Sequence, residues 1–247
     1  MNENQIILID KPASISSFGA VAKVRGKLKA EFGHKVKVGH TGTLDPFATG
    51  LLILLSGKYT KKSTDFLKLD KTYEATLKLG YISTTGDPEG EIQEYPKQIQ
   101  YSLVEDLSEV TTENGGFGPV TTGASDPCPK LKNIESVLGS FVGTITQTPP
   151  KFSAIKIDGQ RAYKLARQNK DFEIPSREVN IYSIEILDYH YPELTIRTHV
   201  SSGTYIRSLA EDIGKKLGTG AYLTSLRRTK IANYDVKNAT PLSDYIS

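Results

Sequence analysis

The sequence predicts a mixed α/β fold built on a largely antiparallel sheet, on three observations. KTYEATLKLG (71–80) alternates strictly, with Tyr73, Ala75, Leu77 and Leu79 on one face and Thr72, Glu74, Thr76 and Lys78 on the other. ELTIRTHV (193–200) alternates in the same way through Leu194, Ile196, Thr198 and Val200. Two other stretches repeat their apolar residues every three to four positions, one after Ser17 and one after Thr204. A period of two marks a half-exposed strand and a period near 3.6 an amphipathic helix. Strands dominate, with helices between and after them, which is the pattern of layered mixed folds.

Taken in order, the first helix is expected from Phe18, Val21, Val24, Leu28 and Phe32, with Ser16 and Ser17 as candidate caps and a basic outer face. The strand at 71–80 follows. TTENGGFGPVTTGASDPCP (111–129) is rich in Gly, Thr and Pro and has little to bury, so a flexible insertion is expected over 111–130. VNIYSIEIL (179–187) is a further strand candidate, ahead of the one at 193–200. Ile206, Leu209, Ala210, Ile213 and Leu217 then set a helix that Gly218 is placed to end. No internal repeat or heptad is present.

Composition narrows the function classes. The 247 residues, 38% hydrophobic and 24% charged, are ordinary for a globular chain. The longest apolar run, GLLILLSG (50–57), falls far short of the roughly 20 residues that span a bilayer. MNENQIILIDKP at the start lacks the basic and apolar regions of a secretory signal. One cysteine, Cys128, cannot form an internal disulfide and excludes a Cys-rich zinc site. A cytoplasmic location is the expectation. The net charge of +3 is small, but its distribution is uneven. Between Lys11 and Lys37 seven Lys or Arg face one acid, Glu31. KFSAIKIDGQRAYKLARQNK (151–170) mixes further basic residues with Phe152 and Tyr163. Basic residues interleaved with aromatics suit a phosphate backbone with bases beside it, although either cluster alone also reads as a solvated helix face.

Several familiar chemistries are absent from the sequence. GLLILLSGK has the wrong spacing for a phosphate-binding P-loop, and no Gly-x-Gly-x-x-Gly follows an expected strand. The histidines at 34, 40, 190 and 199 are not at metal-ligand spacings. No Gly-x-Ser-x-Gly elbow occurs. Neither a metal nor a nucleotide cofactor is therefore expected. What remains is GHTGTLDPFATG (39–50), which sets one acid, Asp45, in a glycine- and threonine-rich turn without a Lys or Arg. Such a turn can present a carboxylate to a ligand; equally, Asp-Pro is a common way to begin a turn.

The longer stretch GHTGTLDPFATGLLILLSGKYTK (39–61) resembles the signature of the TruB family of tRNA pseudouridine synthases. DKPASISSF (10–18), KTYEATLKLG, TTGDPEG (84–90), QTPPKFSAIKIDGQRAYKLAR (147–167), SSGTYIRSLAEDIG (201–214) and LTSLRRTKI (223–231) resemble further family motifs, in order. Ala13 stands where the family usually has Gly, and roughly 100–135 has no counterpart.

The resemblance implies the pseudouridine synthase fold, with a thumb-like RNA-binding insertion, and isomerisation of the T-loop uridine at tRNA position 55 without a cofactor. It implies that Asp45 is the nucleophile, that Arg207 pairs with it and holds it ionised and aimed, and that Tyr73 stacks on the base. Tyr205 and Leu226 are expected to line the same pocket, and His40 to displace nucleotides of the T loop. Lys71 and Asp87 are weaker candidates to support the site, and Lys151 and Arg161 belong to the gripping insertion. The expected partner is the T stem-loop of tRNA, bound by a monomer. With the chain ending at Ser247, one catalytic domain over 1–247 is expected, without the small C-terminal RNA-binding domain of many relatives. A guide-RNA-dependent subunit and a non-catalytic tRNA chaperone are the alternative readings.

Overall fold

A computed structural model describes residues 2–96, 128–153, 155–157, 159–168 and 172–246. The strands and helices are, in chain order, β1 (Ile6–Lys11), α1 (Ser17–Phe32), β2 (Val38–His40), β3 (Thr49–Ser56), α2 (Ser63–Leu67), β4 (Lys71–Leu79), β5 (Tyr81–Ser83), β6 (Ile92–Glu94), α3 (Leu131–Gly139), β7 (Gly143–Gln147), β8 (Lys156–Ile157), β9 (Gln160–Arg161), α4 (Ala162–Arg167), β10 (Arg177–His190), β11 (Glu193–Val200), α5 (Ile206–Lys216), β12 (Ala221–Ile231), β13 (Tyr234–Asp235), β14 (Thr240–Pro241) and α6 (Leu242–Ile246).

One sheet runs through the molecule in the order β14-β1-β3-β12-β4-β11-β10-β7, with β2 added to β3 and β13 to β12. Among the described residues only β1–β14 and β3–β12 pair in parallel; the other pairs in this sheet are antiparallel. The predicted mixed fold with a largely antiparallel sheet is therefore observed. β4 sits at its centre between β11 and β12, and its alternation is realised: Tyr73, Ala75, Leu77 and Leu79 are buried. On that face they meet α3 and α5 through Ile134, Leu138, Leu209 and Ile213. At a few kcal/mol per buried side chain, this is one of the main apolar contributions to stability.

Both expected helices form, for the anticipated local reasons. The Ser16 side chain caps α1 by accepting from the Gly19 amide, and left-handed Gly33 ends it by donating to the Lys29 carbonyl. Gly218, at φ +72, closes the chain beyond α5 with a bond to the Lys215 carbonyl at 3.0 Å. One assignment within α1 differs. Phe18 is 60% exposed, and the buried stripe is Ser17, Ala20, Val21, Val24 and Leu28. Phe18 instead sets its edge against the His40 ring, with centroids 5.0 Å apart.

The strand expected at 179–187 extends over Arg177–His190, and four long strands carried no periodic signal: β1, β3, β7 and β12. β3 shows why. Its run of leucines is buried on both faces, Leu52 and Leu54 against α1 and Leu51, Ile53 and Leu55 against Tyr59, Phe66 and Ile231. A strand covered on both sides needs no polar alternation. Most of the insertion expected at 111–130 lies outside the described residues.

Candidate active site

The loop from Thr41 to Ala48 hangs over an opening in the sheet. At the start of β3, Thr49 and Gly50 pair with Arg227 and Arg228 of β12; at its end, Leu54, Leu55 and Ser56 pair with β2. Between these two partners the edge carbonyls of β3 need other donors. The Thr41 amide bonds the Ile53 carbonyl at 3.1 Å, and Arg228 Nε bonds the Leu51 carbonyl at 2.8 Å. Arg228 is fully buried, and its guanidinium also reaches the Gly42 carbonyl at 3.1 Å. Gly50 is required here: its φ is +100, and a Cβ would lie 2.3 Å from the Arg228 carbonyl oxygen.

The rest of the loop is tied down from α1 and β1. Ser17 donates to the Leu44 carbonyl at 2.9 Å and accepts from the Leu44 amide at 2.8 Å. The Pro46 carbonyl accepts from the Ser14 amide at 2.9 Å and from Lys11 Nζ at 3.2 Å. Leu44 and Ala48 are buried in the apolar cluster that contains Tyr73 and Leu226. Asp45 lies between these anchors, with 32% of its side chain still open to solvent.

Arg207, on the first turn of α5, supplies the cation that the loop lacks. Its Nε lies 3.1 Å from Asp45 Oδ2, and its Nη1 lies 3.2 Å from Asp87 Oδ2. Nη1 also donates to the Thr85 carbonyl at 3.1 Å and Nη2 to the Phe152 carbonyl at 2.9 Å. The guanidinium thus joins three stretches far apart in sequence, and it is itself only 5% exposed. Asp87 is equally enclosed, and accepts from the Thr85 hydroxyl at 2.6 Å and the Glu89 amide at 3.0 Å. Removing the guanidinium would leave the buried Asp87 carboxylate without its ion-pair partner.

Charge in the site is set by opposing effects. Burial pushes the Asp45 carboxyl above its ordinary value of 3.8; Arg207 pulls it back, Asp87 raises it further, and Lys11 lowers it. With 32% of the side chain exposed, desolvation of the enclosed remainder still outweighs the ion pair. The expectation that Arg207 favours the ionised form has the right sign, but burial is the larger influence. Lys11, also fully buried, falls to about 8 through desolvation, opposed by Asp45. His40 is lowered by burial and by the charges of Arg228 and Arg161.

The other predicted residues divide into two groups. Tyr73 and Leu226 share the cluster beneath the loop, and Tyr205 immediately precedes α5 with the Arg177 guanidinium 5.0 Å over its ring. The Arg161 charge contributes to lowering the His40 pKa, and the Phe152 carbonyl accepts from Arg207. Lys71 is directed elsewhere: its ammonium is buried against the carbonyls of Leu67 and Leu69. Lys151 is exposed and lines a cavity of about 360 Å³ with Pro149, Ser208, Glu211 and Asp212. The sequence points to Ser17 only as a candidate helix cap and gives Lys11, Gln147 and Arg228 no site role. Each makes a bond to a main-chain group remote in sequence, Ser17 to Leu44, Lys11 to Pro46, Gln147 to Tyr205 and Arg228 to Leu51, and no spacing rule reports such bonds.

The family model described as "TruB family pseudouridylate synthase (N terminal domain)" matches residues 27–116 and 96–206, and "tRNA pseudouridylate synthase B C-terminal domain" matches 207–245. The chain belongs to the TruB family. A tRNA pseudouridine synthase B from Flavobacterium johnsoniae is 42% identical, over 98% of this chain and 94% of the relative. One from Aquifex aeolicus is 42% identical, over 98% and 73%. The chain spans 63% of the length of a 41% identical relative from Bifidobacterium longum. Among solved structures, a Cbf5-Nop10-Gar1 complex matches with a TM-score of 0.65 and 26% identity, over 99% of this chain and 54% of that one. The boundary between the two TruB family models falls inside the site. Arg207, Leu226 and Arg228 lie on the C-terminal side, and Asp45, Tyr73 and Asp87 on the N-terminal side.

Proposed function

We propose that this chain isomerises uridine to pseudouridine in tRNA, at position 55 of the T loop, with Asp45 as the acting carboxylate. The observation that carries the reading is the Asp45–Arg207–Asp87 arrangement: one carboxylate partly open to solvent, paired to a buried guanidinium that a second, buried carboxylate anchors. The reaction breaks the N1–C1′ bond, turns the uracil and rejoins it through C5. Electrons and atoms balance within the substrate, so neither a redox partner nor a group donor is required. An ionised acid placed against the nucleoside can add to the ring, attack C1′ or assist through a glycal. Arg207 keeps Asp45 aimed, and its pairing with Asp87 stops the guanidinium from following the substrate away.

Tyr73 is the base-stacking side chain in this reading, with Tyr205 and Leu226 bordering the uracil. His40 and Arg161 contact the displaced loop nucleotides, and Lys151 the backbone. The target base has to leave its stack, at a cost of a few kcal/mol that contacts to the basic surface offset. The enzyme acts as a cytoplasmic monomer on the T stem-loop. The test is incubation of the purified protein alone with an unmodified elongator tRNA transcript, followed by chemical labelling of pseudouridine and primer extension. A single stop at the T-loop uridine is the expected result. Product formed only after a guide RNA is added would replace this reading with a guide-dependent one.

A further inference from the structure

Gln147 ends β7 at the point where the chain leaves the sheet for the segment 148–168. It is 1% exposed, and both polar atoms of its amide are used on one residue. Its Oε1 accepts from the Tyr205 amide at 2.8 Å, and its Nε2 donates to the Tyr205 carbonyl at 3.0 Å. Tyr205 is the N-cap of α5, and its side chain makes no capping bond. The start of α5 is thus held in place by a side chain from a different strand. Two residues on, Arg207 makes the contacts to Asp45 and Asp87. Further bonds follow the same seam: Ser208 donates to the Thr148 carbonyl at 2.9 Å, and Arg207 to that of Phe152.

We infer that Gln147 is a positioning residue for the reaction proposed above, on which this inference rests. By clamping the Tyr205 backbone it sets where the first turn of α5 begins, and so where the guanidinium meets Asp45. A side-chain amide suits this task, because one planar group offers both a donor and an acceptor to a main-chain N–H and C=O. A misplacement of about 1 Å at a reacting group can cost on the order of a hundredfold in rate. The clamp touches no substrate, so its loss acts on turnover rather than on tRNA binding.

The test compares wild type with Gln147→Met, which keeps the volume and removes both bonds, and Gln147→Glu, at a temperature where all are folded by circular dichroism. For Gln147→Met the expected result is kcat lower by about ten- to a hundredfold with KM within about threefold of wild type. Gln147→Glu is the discriminating variant. A neutral carboxyl can donate to the Tyr205 carbonyl and accept from its amide; an ionised one repels that carbonyl. Its turnover relative to wild type should therefore be highest at acidic pH and fall as pH rises. A purely structural role would lower the melting temperature without moving kcat or its pH dependence. Unchanged kcat in Gln147→Met, or a Gln147→Glu profile parallel to wild type, overturns the inference while an active wild type leaves the proposed reaction standing. A wild type that forms no pseudouridine overturns both.

Discussion

The loop 41–48 and the segment 148–168 both reach the site, but they are held very differently. The loop is fastened by buried side chains from three directions: Ser17 on α1, Lys11 on β1 and Arg228 on β12. The described residues of 148–168 include two two-residue strands and the short helix α4, and the carbonyls of Thr148 and Phe152 accept from α5. The contrast fits the proposed chemistry. A reacting carboxylate has to be placed to within a fraction of an ångström, which calls for an over-determined backbone. A surface that grips RNA through basic side chains tolerates far looser placement, because attraction to phosphates falls off gradually with distance.

The largest effect expected is on the loop side. Asp45→Asn should lower pseudouridine formation by at least about 10⁴-fold while tRNA binding stays within a few-fold, since a carboxamide is a poor nucleophile. Single-turnover assays beside filter binding measure both; equal turnover by the two proteins would remove Asp45 from the mechanism. Next in size is Arg207→Met, which leaves Asp87 buried without its partner. It should cost about 3–5 kcal/mol of stability, and turnover in proportion to the disordering of Asp45. Urea denaturation gives the first quantity. If stability were unchanged, the guanidinium would not be the link between loop and α5.

Two smaller effects concern charge. In the proposed reaction ionised Asp45 is the active form, and its folded pKa is raised above 3.8, so turnover should fall as pH drops through that raised value. Lys11 lowers the Asp45 pKa, so Lys11→Met should move this acid limb upward. A kcat–pH profile for both proteins decides it, and a downward shift contradicts the assignment. Lys11 also bears on stability. Its folded pKa of about 8 lies below the ordinary 10.5, so between those values the unfolded chain binds more protons and the fold gains stability as pH rises. Lys11→Met should lose its share of that gain.

The smallest effects are expected in the segment 148–168, the gripping surface of the proposed function. Lys151→Ala or Arg161→Ala should each raise KM for tRNA a few-fold, leave kcat alone, and lessen the salt dependence of binding by about one unit of slope. A loss of kcat equal to that of the loop variants would erase the distinction between the two regions.

Sequence alone determined what is local. Strict alternation at 71–80 marked the central strand, the 3.6 period marked α1 and α5, Ser16 and Gly218 marked helix ends, and the ordered motifs carried the family resemblance. These signals are legible because each depends on neighbours a few residues away. The tertiary structure alone decided that β3 lies buried on both faces, that Phe18 turns outward onto His40, and that Lys71 is spent on the carbonyls of Leu67 and Leu69. It also decided that burial outweighs the ion pair at Asp45, and that Lys11, Gln147 and Arg228 hold the site together. The physical reason is common to all of them. Desolvation and main-chain hydrogen bonding depend on which distant segments pack against a group, and a one-dimensional pattern does not encode that.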